Sequence, residues 1–274
     1  MTSVLIDGRP ADAVPVADRG LQYGDGLFET IAVFRGAPCL WQAHLDRLAE
    51  GCRRLGMPMP DAKLLHTEAS QLTAGVEQGV LKLLITRGVG GRGYRPPAEP
   101  HSCRILSLHP WPDHPAAYWI EGVRLRWCDT PLGLNPRLAG VKHCNRLEQV
   151  LARNEWDDSG IAEGLMCDAR GRVIEGTMSN LFVLKDGRLS TPRLDQCGVA
   201  GVARAVVMAV AAEQGMPCAE AAMMSEQVIQ ADALLMSNAI IGLWPVAALD
   251  DQYFDRVHWP REMMAEVMER LRRP

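Results

Sequence analysis

Prolines at 110, 112 and 115 interrupt the chain between His109 and Glu121, and the stretch on either side alternates short apolar strands with amphipathic helices. Proline lacks a backbone N–H and fixes φ, so a run with three of them continues neither a strand nor a helix. With 274 residues the chain can bury two separate cores. The expected organisation is a smaller N-terminal α/β domain over residues 1–110, a linker over 111–121 and a larger C-terminal α/β domain over 122–274. The fold class is α/β (α+β), and the cleft between two such domains is a common place for a ligand.

In the first stretch, strands are expected at Val4–Ile6, Phe28–Phe34, Val80–Thr86 and Ile105–His109. Apolar residues at 41, 45, 48 and 55 make one helical stripe over Trp41–Leu55, closed by Gly56 before Pro58. A second helix covers Ala62–Ala74. In the second stretch, strands are expected at Val123–Trp127, Gly164–Cys167, Asn180–Leu184 and Ala233–Ser237, with helices at Asn145–Trp156, Gly201–Gln214 and Arg261–Arg272.

A net charge of -4 supplies no attraction to nucleic acid or to anionic lipid. No run is long and apolar enough to span a membrane, and Met1–Gly8 has no basic leader, so a cytoplasmic protein is expected. The eight cysteines are scattered without a C-x-x-C pair, which reads as free thiols and not as a metal cluster or disulfide framework.

Only four lysines occur, and Lys142 alone does not read as a solvated charge. It lies in Leu138-Ala139-Gly140-Val141-Lys142-His143-Cys144-Asn145-Arg146-Leu147, where an apolar segment gives way to a helix start. A lysine amine desolvated at such a junction suits Schiff-base chemistry, which makes pyridoxal phosphate a candidate cofactor. Such a cofactor also needs a carboxylate at its pyridine nitrogen and a set of phosphate donors. Glu175, at the end of a short strand in Val173-Ile174-Glu175-Gly176, is the carboxylate candidate, with a surface glutamate as the plain alternative. Gly198-Val199-Ala200-Gly201-Val202 places two glycines before a helix, where amide N–H groups and the helix dipole meet an anion; otherwise it is a simple turn. Ser237-Asn238 offers hydroxyl and amide donors or else a turn, and Arg47 offers a fixed cation or else an exposed helix arginine. Gly88-Val89-Gly90-Gly91-Arg92-Gly93-Tyr94 lacks the lysine and Ser/Thr of a phosphate-binding P-loop, so it reads as a flexible loop that brings Arg92 to a substrate carboxylate.

In order along the chain these segments are Asp18-Arg19-Gly20 with Tyr23-Gly24-Asp25-Gly26, His44 with Arg47-Leu48, Lys142, Glu175 with Ser179-Asn180-Leu181, and Gly198 with Gly201. Together they resemble the fold-type IV pyridoxal phosphate enzymes, a superfamily that holds branched-chain aminotransferases, D-amino-acid aminotransferases and aminodeoxychorismate lyases. Arg87–Tyr94, Leu138–Gln149 and Thr191–Val199 look like the lyases in particular, as does Asn238 followed by Trp244-Pro245-Val246. Leu147 stands where branched-chain aminotransferases usually carry a tyrosine, which counts against transamination.

The resemblance implies that pyridoxal 5'-phosphate sits in the interdomain cleft of a homodimer. It implies Lys142 as Schiff-base lysine and catalytic base, and Glu175 at the pyridine nitrogen. Arg47, Asn180, Gly201, Val202 and Asn238 complete the cofactor contacts, and Arg92, Tyr94 and Thr30 are the expected substrate contacts. The implied reaction converts 4-amino-4-deoxychorismate, a small substrate with two carboxylates, to 4-aminobenzoate and pyruvate in folate biosynthesis. One rival is a D-amino-acid or branched-chain aminotransferase on the same scaffold. The other is a non-catalytic ligand-binding module, which would have no use for the combination of Lys142, Glu175 and phosphate donors.

Overall fold

A computed structural model describes residues 3–274, so Met1 and Thr2 of the expected first domain lie outside the described residues. The chain forms two compact units. The first takes the chain as far as Pro112 together with Val141–Asn145 and Arg272–Pro274; the second takes Asp113–Gly140 and Arg146–Leu271.

The first unit contains β1 (Ser3–Ile6), β2 (Arg9–Pro10), α1 (Arg19–Tyr23), β3 (Gly26–Phe34), β4 (Ala37–Pro38), α2 (Trp41–Leu55), α3 (Ala62–Thr73), β5 (Gln78–Thr86) and β6 (Cys103–Pro110). Its strands pair antiparallel in the order β2-β1-β6-β5-β3-β4. Alternation along β3 sends Leu27, Ile31 and Val33 into a core with Leu45, Leu48 and Cys52 of α2, Leu65 and Ala69 of α3, and Leu81, Leu83 and Ile85 of β5. Burying a side chain such as Leu48 contributes about 2 kcal/mol. Gly51 lets α2 approach closely, because a Cβ there would stand 2.9 Å from both methyls of Leu27. The helix ends at Gly56, whose φ of 60° supplies the left-handed cap expected of it.

The second unit contains α4 (Ala117–Ile120), β7 (Val123–Trp127), α5 (Leu147–Arg153), β8 (Ile161–Cys167), β9 (Val173–Gly176), β10 (Asn180–Lys185), β11 (Arg188–Pro192), α6 (Val202–Glu213), β12 (Cys218–Ala221), α7 (Ser225–Ile229), β13 (Ala233–Asn238), β14 (Gly242–Leu249), β15 (Gln252–Tyr253) and α8 (Arg261–Arg270). The sheet runs β12-β11-β10-β13-β14-β7-β8-β9, with β15 paired to β14. Leu165, Leu181, Met236 and Trp244 are among the fully buried side chains of its core.

Two differences from the sequence reading have local causes. The segment expected to be a linker is packed: Trp111 lies 5.1 Å from Phe34, while α4 anchors Trp119 by an Nε1–H bond of 2.9 Å to the Ile241 carbonyl. Val141–Asn145, expected in the second domain, belongs with the first unit because it runs beside β3, with Phe28 N donating to Lys142 O at 3.1 Å and Cys144 N to Gly26 O at 3.0 Å. The sequence reading also passes over β14, whose Pro245 is a poor strand residue. Pairing of β14 with β7 begins only at Val246, so the missing Pro245 N–H falls outside that ladder.

Candidate active site

In the first unit Lys142 is held by its backbone. Its carbonyl accepts from Phe28 N, and Leu27 and His143 form an isolated antiparallel bridge. The Nζ then lies 4.3 Å from the centroid of the Phe28 ring, close enough for a cation–π contact. Thr30, two residues on in β3, is half-buried on the same face of the strand as Phe28. Asn145, three residues after the lysine, ties the segment to Gly24 by an Nδ2–H bond of 3.1 Å to its carbonyl.

The opposite face of β3 carries a buried charge cluster. Glu29 Oε1 accepts from Arg47 Nε at 2.8 Å, and Oε2 accepts from Arg47 Nη2 and from His44 Nδ1, the latter at 2.6 Å. Glu29 and His44 are each 1% exposed. Burial alone would push the Glu29 carboxyl up, but the Arg47 charge and the hydrogen bonds from His44 and Arg47 hold it below the ordinary range. Burial pushes the His44 imidazole down, and the nearby Arg47 and Lys142 charges add to that against the opposing pull of Glu29. The cluster is therefore a carboxylate, a guanidinium and a neutral imidazole whose Nδ1 carries the proton. Arg47 is thus committed through Nε and Nη2 to Glu29, which an exposed helix arginine would not be.

In the second unit Glu175 is buried at 4% exposure. Its Oε2 accepts from Val199 N at 2.8 Å and from Asn180 Nδ2 at 3.5 Å. Asn180 Nδ2 also donates to Val199 O at 2.9 Å, so the carboxylate, the amide and the Gly198–Gly201 segment form one bonded group. Gly201 is the N-cap of α6 and contributes no side-chain cap; a Cβ there would stand 2.1 Å from Asn180 Oδ1. Val202 starts the helix, so Gly201 and Val202 present backbone donors at the positive end of a 12-residue dipole.

Three further expected site residues have the following surroundings. Asn238 spends its side chain on a turn: Oδ1 accepts from Ile240 N and Ile241 N, both at 2.8 Å, and Nδ2 donates to Met178 O at 3.1 Å. The turn reading wins at this residue because those two amide donors lie immediately after it. Tyr94 is 85% exposed, its ring edge-on to Tyr23 at 5.5 Å. The loop that carries Arg92 is anchored, not loose, since Arg19 donates from Nη1 to Gly93 O and from Nη2 to Tyr94 O, each at 3.0 Å. Arg92 itself is exposed.

Sequence reasoning missed Glu163, which is 1% exposed. Its two oxygens accept from Gly164 N, Thr177 N, Thr177 Oγ1, Met178 N and Ser179 Oγ at 2.5 to 3.1 Å. These bonds shape the turn between Glu175 and Asn180. A lone acidic residue inside the apolar strand Ile161–Cys167 was the available signal. Phe28 was missed too, since an aromatic residue in an apolar strand reads first as core.

Residues 26–249 match the amino-transferase class IV family, and the chain belongs to that family. Its members use pyridoxal phosphate, and the donor set fits that group: an amine on Lys142, a buried carboxylate on Glu175, and a helix N-terminus where only glycine fits beside Asn180. Among solved structures, 4-amino-4-deoxychorismate lyase from Pseudomonas aeruginosa has a TM-score of 0.94 and 48% identity, covering 98% of this chain and 99% of that one. Aminodeoxychorismate lyase of Vibrio harveyi is 38% identical over 244 residues, 89% of this chain and 90% of that protein. D-alanine aminotransferase of Listeria innocua serovar 6a is 28% identical over 265 residues, 90% of this chain and 87% of that protein. The fold-type IV architecture expected from the sequence is borne out.

Proposed function

We propose that the chain is a pyridoxal phosphate-dependent lyase that converts 4-amino-4-deoxychorismate to 4-aminobenzoate and pyruvate, a step of folate synthesis. The observation that carries this reading is agreement with a lyase over nearly the whole length of both chains at 48% identity, against 28% for a D-alanine aminotransferase. The two products together contain every atom of the substrate, so the reaction needs no oxidant, keto acid or second amine. Aromatisation of the ring supplies much of the driving force.

The cofactor, when bound, takes up the electron pair left on the substrate carbon as a proton departs. In the proposed roles, the Lys142 amine is the base at the ring carbon that bears nitrogen. Once protonated, Lys142 faces the Phe28 ring, which stabilises the ammonium and keeps it oriented for returning a proton to the departing three-carbon fragment. Glu175 holds a proton at the pyridine nitrogen, with Asn180 and Val199 N fixing its Oε2. The Gly201 and Val202 amides bind the phosphate as donors that need no reorganisation, with Arg47 proposed as a further cation and Asn238 as a further contact. Arg92 takes a substrate carboxylate, with Thr30 and Tyr94 as further substrate contacts. A cytoplasmic homodimer belongs to the same proposal; exposed Leu147, Val150 and Leu151 on α5 support a partner surface.

The test is Lys142→Ala: turnover is lost while the melting temperature of the cofactor-free protein stays within a few degrees of wild type. Retained full activity would overturn Lys142 as the base.

A further inference from the structure

Asp18-Arg19-Gly20 has so far no task, yet it is built as tightly as anything in the first unit. Asp18 caps α1 by accepting from Gly20 N at 2.7 Å and also accepts from Thr86 Oγ1 at 2.7 Å. Gly20 allows this packing, since a Cβ would stand 2.3 Å from Thr86 Cγ2. Between them Arg19 is 3% exposed and uses all three of its guanidinium nitrogens. Nε donates to Asp25 Oδ2 at 2.9 Å, and Nη1 and Nη2 donate to the successive carbonyls of Gly93 and Tyr94. The guanidinium also lies 4.8 Å from the Tyr23 ring centroid. Asp25 is shared with Arg87, whose Nη1 and Nη2 hold the Gly56 and Leu55 carbonyls, so the anchor is itself fixed.

The loop is shaped to receive this side chain. Gly90 is open where a Cβ would lie 2.6 Å from Arg19 Cδ, and Gly88, at a φ of 81°, packs against the His101 carbonyl at a position that would be 1.9 Å from a Cβ. Around Gly91 and Gly93 a Cβ would meet nothing within 4 Å, so the pinning comes from Arg19 and not from packing at those glycines.

We propose that Arg19 is a positioning residue for substrate binding: its buried fork holds the Gly88–Tyr94 loop in the one conformation that presents Arg92 to a substrate carboxylate. The idea rests on the lyase reading of the loop. A lysine at this place keeps the charge beside Asp25 but cannot span a carboxylate and two carbonyls at once.

The measurement is a set of steady-state constants on 4-amino-4-deoxychorismate for Arg19→Lys, Arg92→Ala and the double variant, with hydrogen exchange followed in peptides covering residues 88–95. Arg19→Lys raises KM about tenfold, leaves kcat within about threefold and speeds exchange in the loop. The double variant is no worse than Arg92→Ala alone, because without the Arg92 guanidinium the loop has nothing left to position. Unchanged KM in Arg19→Lys, or losses that simply add, overturns the proposal whatever Arg92→Ala does. A raised KM in Arg19→Lys with a silent Arg92→Ala likewise overturns it, since Arg92 is then not what the loop presents. Should Arg19→Lys fail to fold, Gly90→Ala, which crowds the Arg19 stem, gives the same readout with the guanidinium retained.

Discussion

The Nζ of Lys142 stands 4.3 Å from the centroid of the Phe28 ring, and the same two residues are joined through the backbone, Phe28 N to Lys142 O. The proposed base and the ring face beside it are therefore one unit of structure. Phe28→Leu keeps the apolar volume and removes the ring quadrupole. With cation–π contacts at about 0.5–2 kcal/mol, kcat is expected to fall roughly tenfold while the cofactor stays bound. Phe28→Tyr, which keeps the ring face, is expected to lose much less. Stopped-flow or steady-state rates at saturating substrate check both.

Gly201→Ala tests the proposed phosphate site without touching Lys142. The new Cβ collides with Asn180 Oδ1, so Asn180 must leave Val199 O and Glu175. Affinity for pyridoxal phosphate is expected to fall on the order of tenfold to a hundredfold, by loss of positioned amide donors. Titrating the cofactor into stripped protein reads this directly, and unphosphorylated pyridoxal, which has no phosphate to lose, should be much less affected.

Among the described residues Glu163 receives five donors and no cation, so its replacement is a stability experiment. Glu163→Gln turns an N–H donor toward donors already present, and buried donors left unmade cost about 1–3 kcal/mol each. A loss of about 2–4 kcal/mol is expected in urea unfolding. A weaker cofactor affinity should accompany it, because the turn that Glu163 holds separates Glu175 from Asn180.

The Glu29–Arg47–His44 cluster makes the protein acid-sensitive in a defined window. His44 is depressed below its ordinary 6.5, so the unfolded chain takes up a proton that the folded one refuses, and stability falls as pH drops below 6.5. Glu29 is depressed below 4.5 and Asp25 below 3.8, so their contributions are present above those values and are lost as pH falls further. The melting temperature should decline from pH 7 to 5, and His44→Gln should flatten that part of the curve while leaving the steeper fall below pH 4.5. A flat wild-type profile between pH 7 and 5 would contradict a neutral buried imidazole.

Much of the fold is legible because local signals agree with tertiary demand. The stripe at 41, 45, 48 and 55 is the buried side of α2, and Gly56 ends it as expected. What the sequence conceals is whatever depends on partners far along the chain. Nothing local marks Val141–Asn145 as a companion of β3, since its bonds go to Gly26 and Phe28, more than a hundred residues earlier. Pro245 argues against a strand until the late start of the β7 ladder is known. At the site, Glu175 and Gly201 stand out by type and context, whereas Arg47 and Asn238 present donors whose actual bonds only the fold reveals. Arg19 stands in a segment that the resemblance already marks, but two of its bonds go to the Gly93 and Tyr94 carbonyls, and Glu163 takes three of its five donors from backbone amides, which carry no residue identity.

The lyase assignment is tested most directly on the wild-type protein. It is purified, loaded with pyridoxal phosphate and given 4-amino-4-deoxychorismate with no keto acid present, and 4-aminobenzoate and pyruvate are quantified together over time. Equimolar release of the two is the predicted result. No release, with amino-group transfer appearing once 2-oxoglutarate and an amino acid are supplied, would contradict the lyase and leave an aminotransferase on the same scaffold.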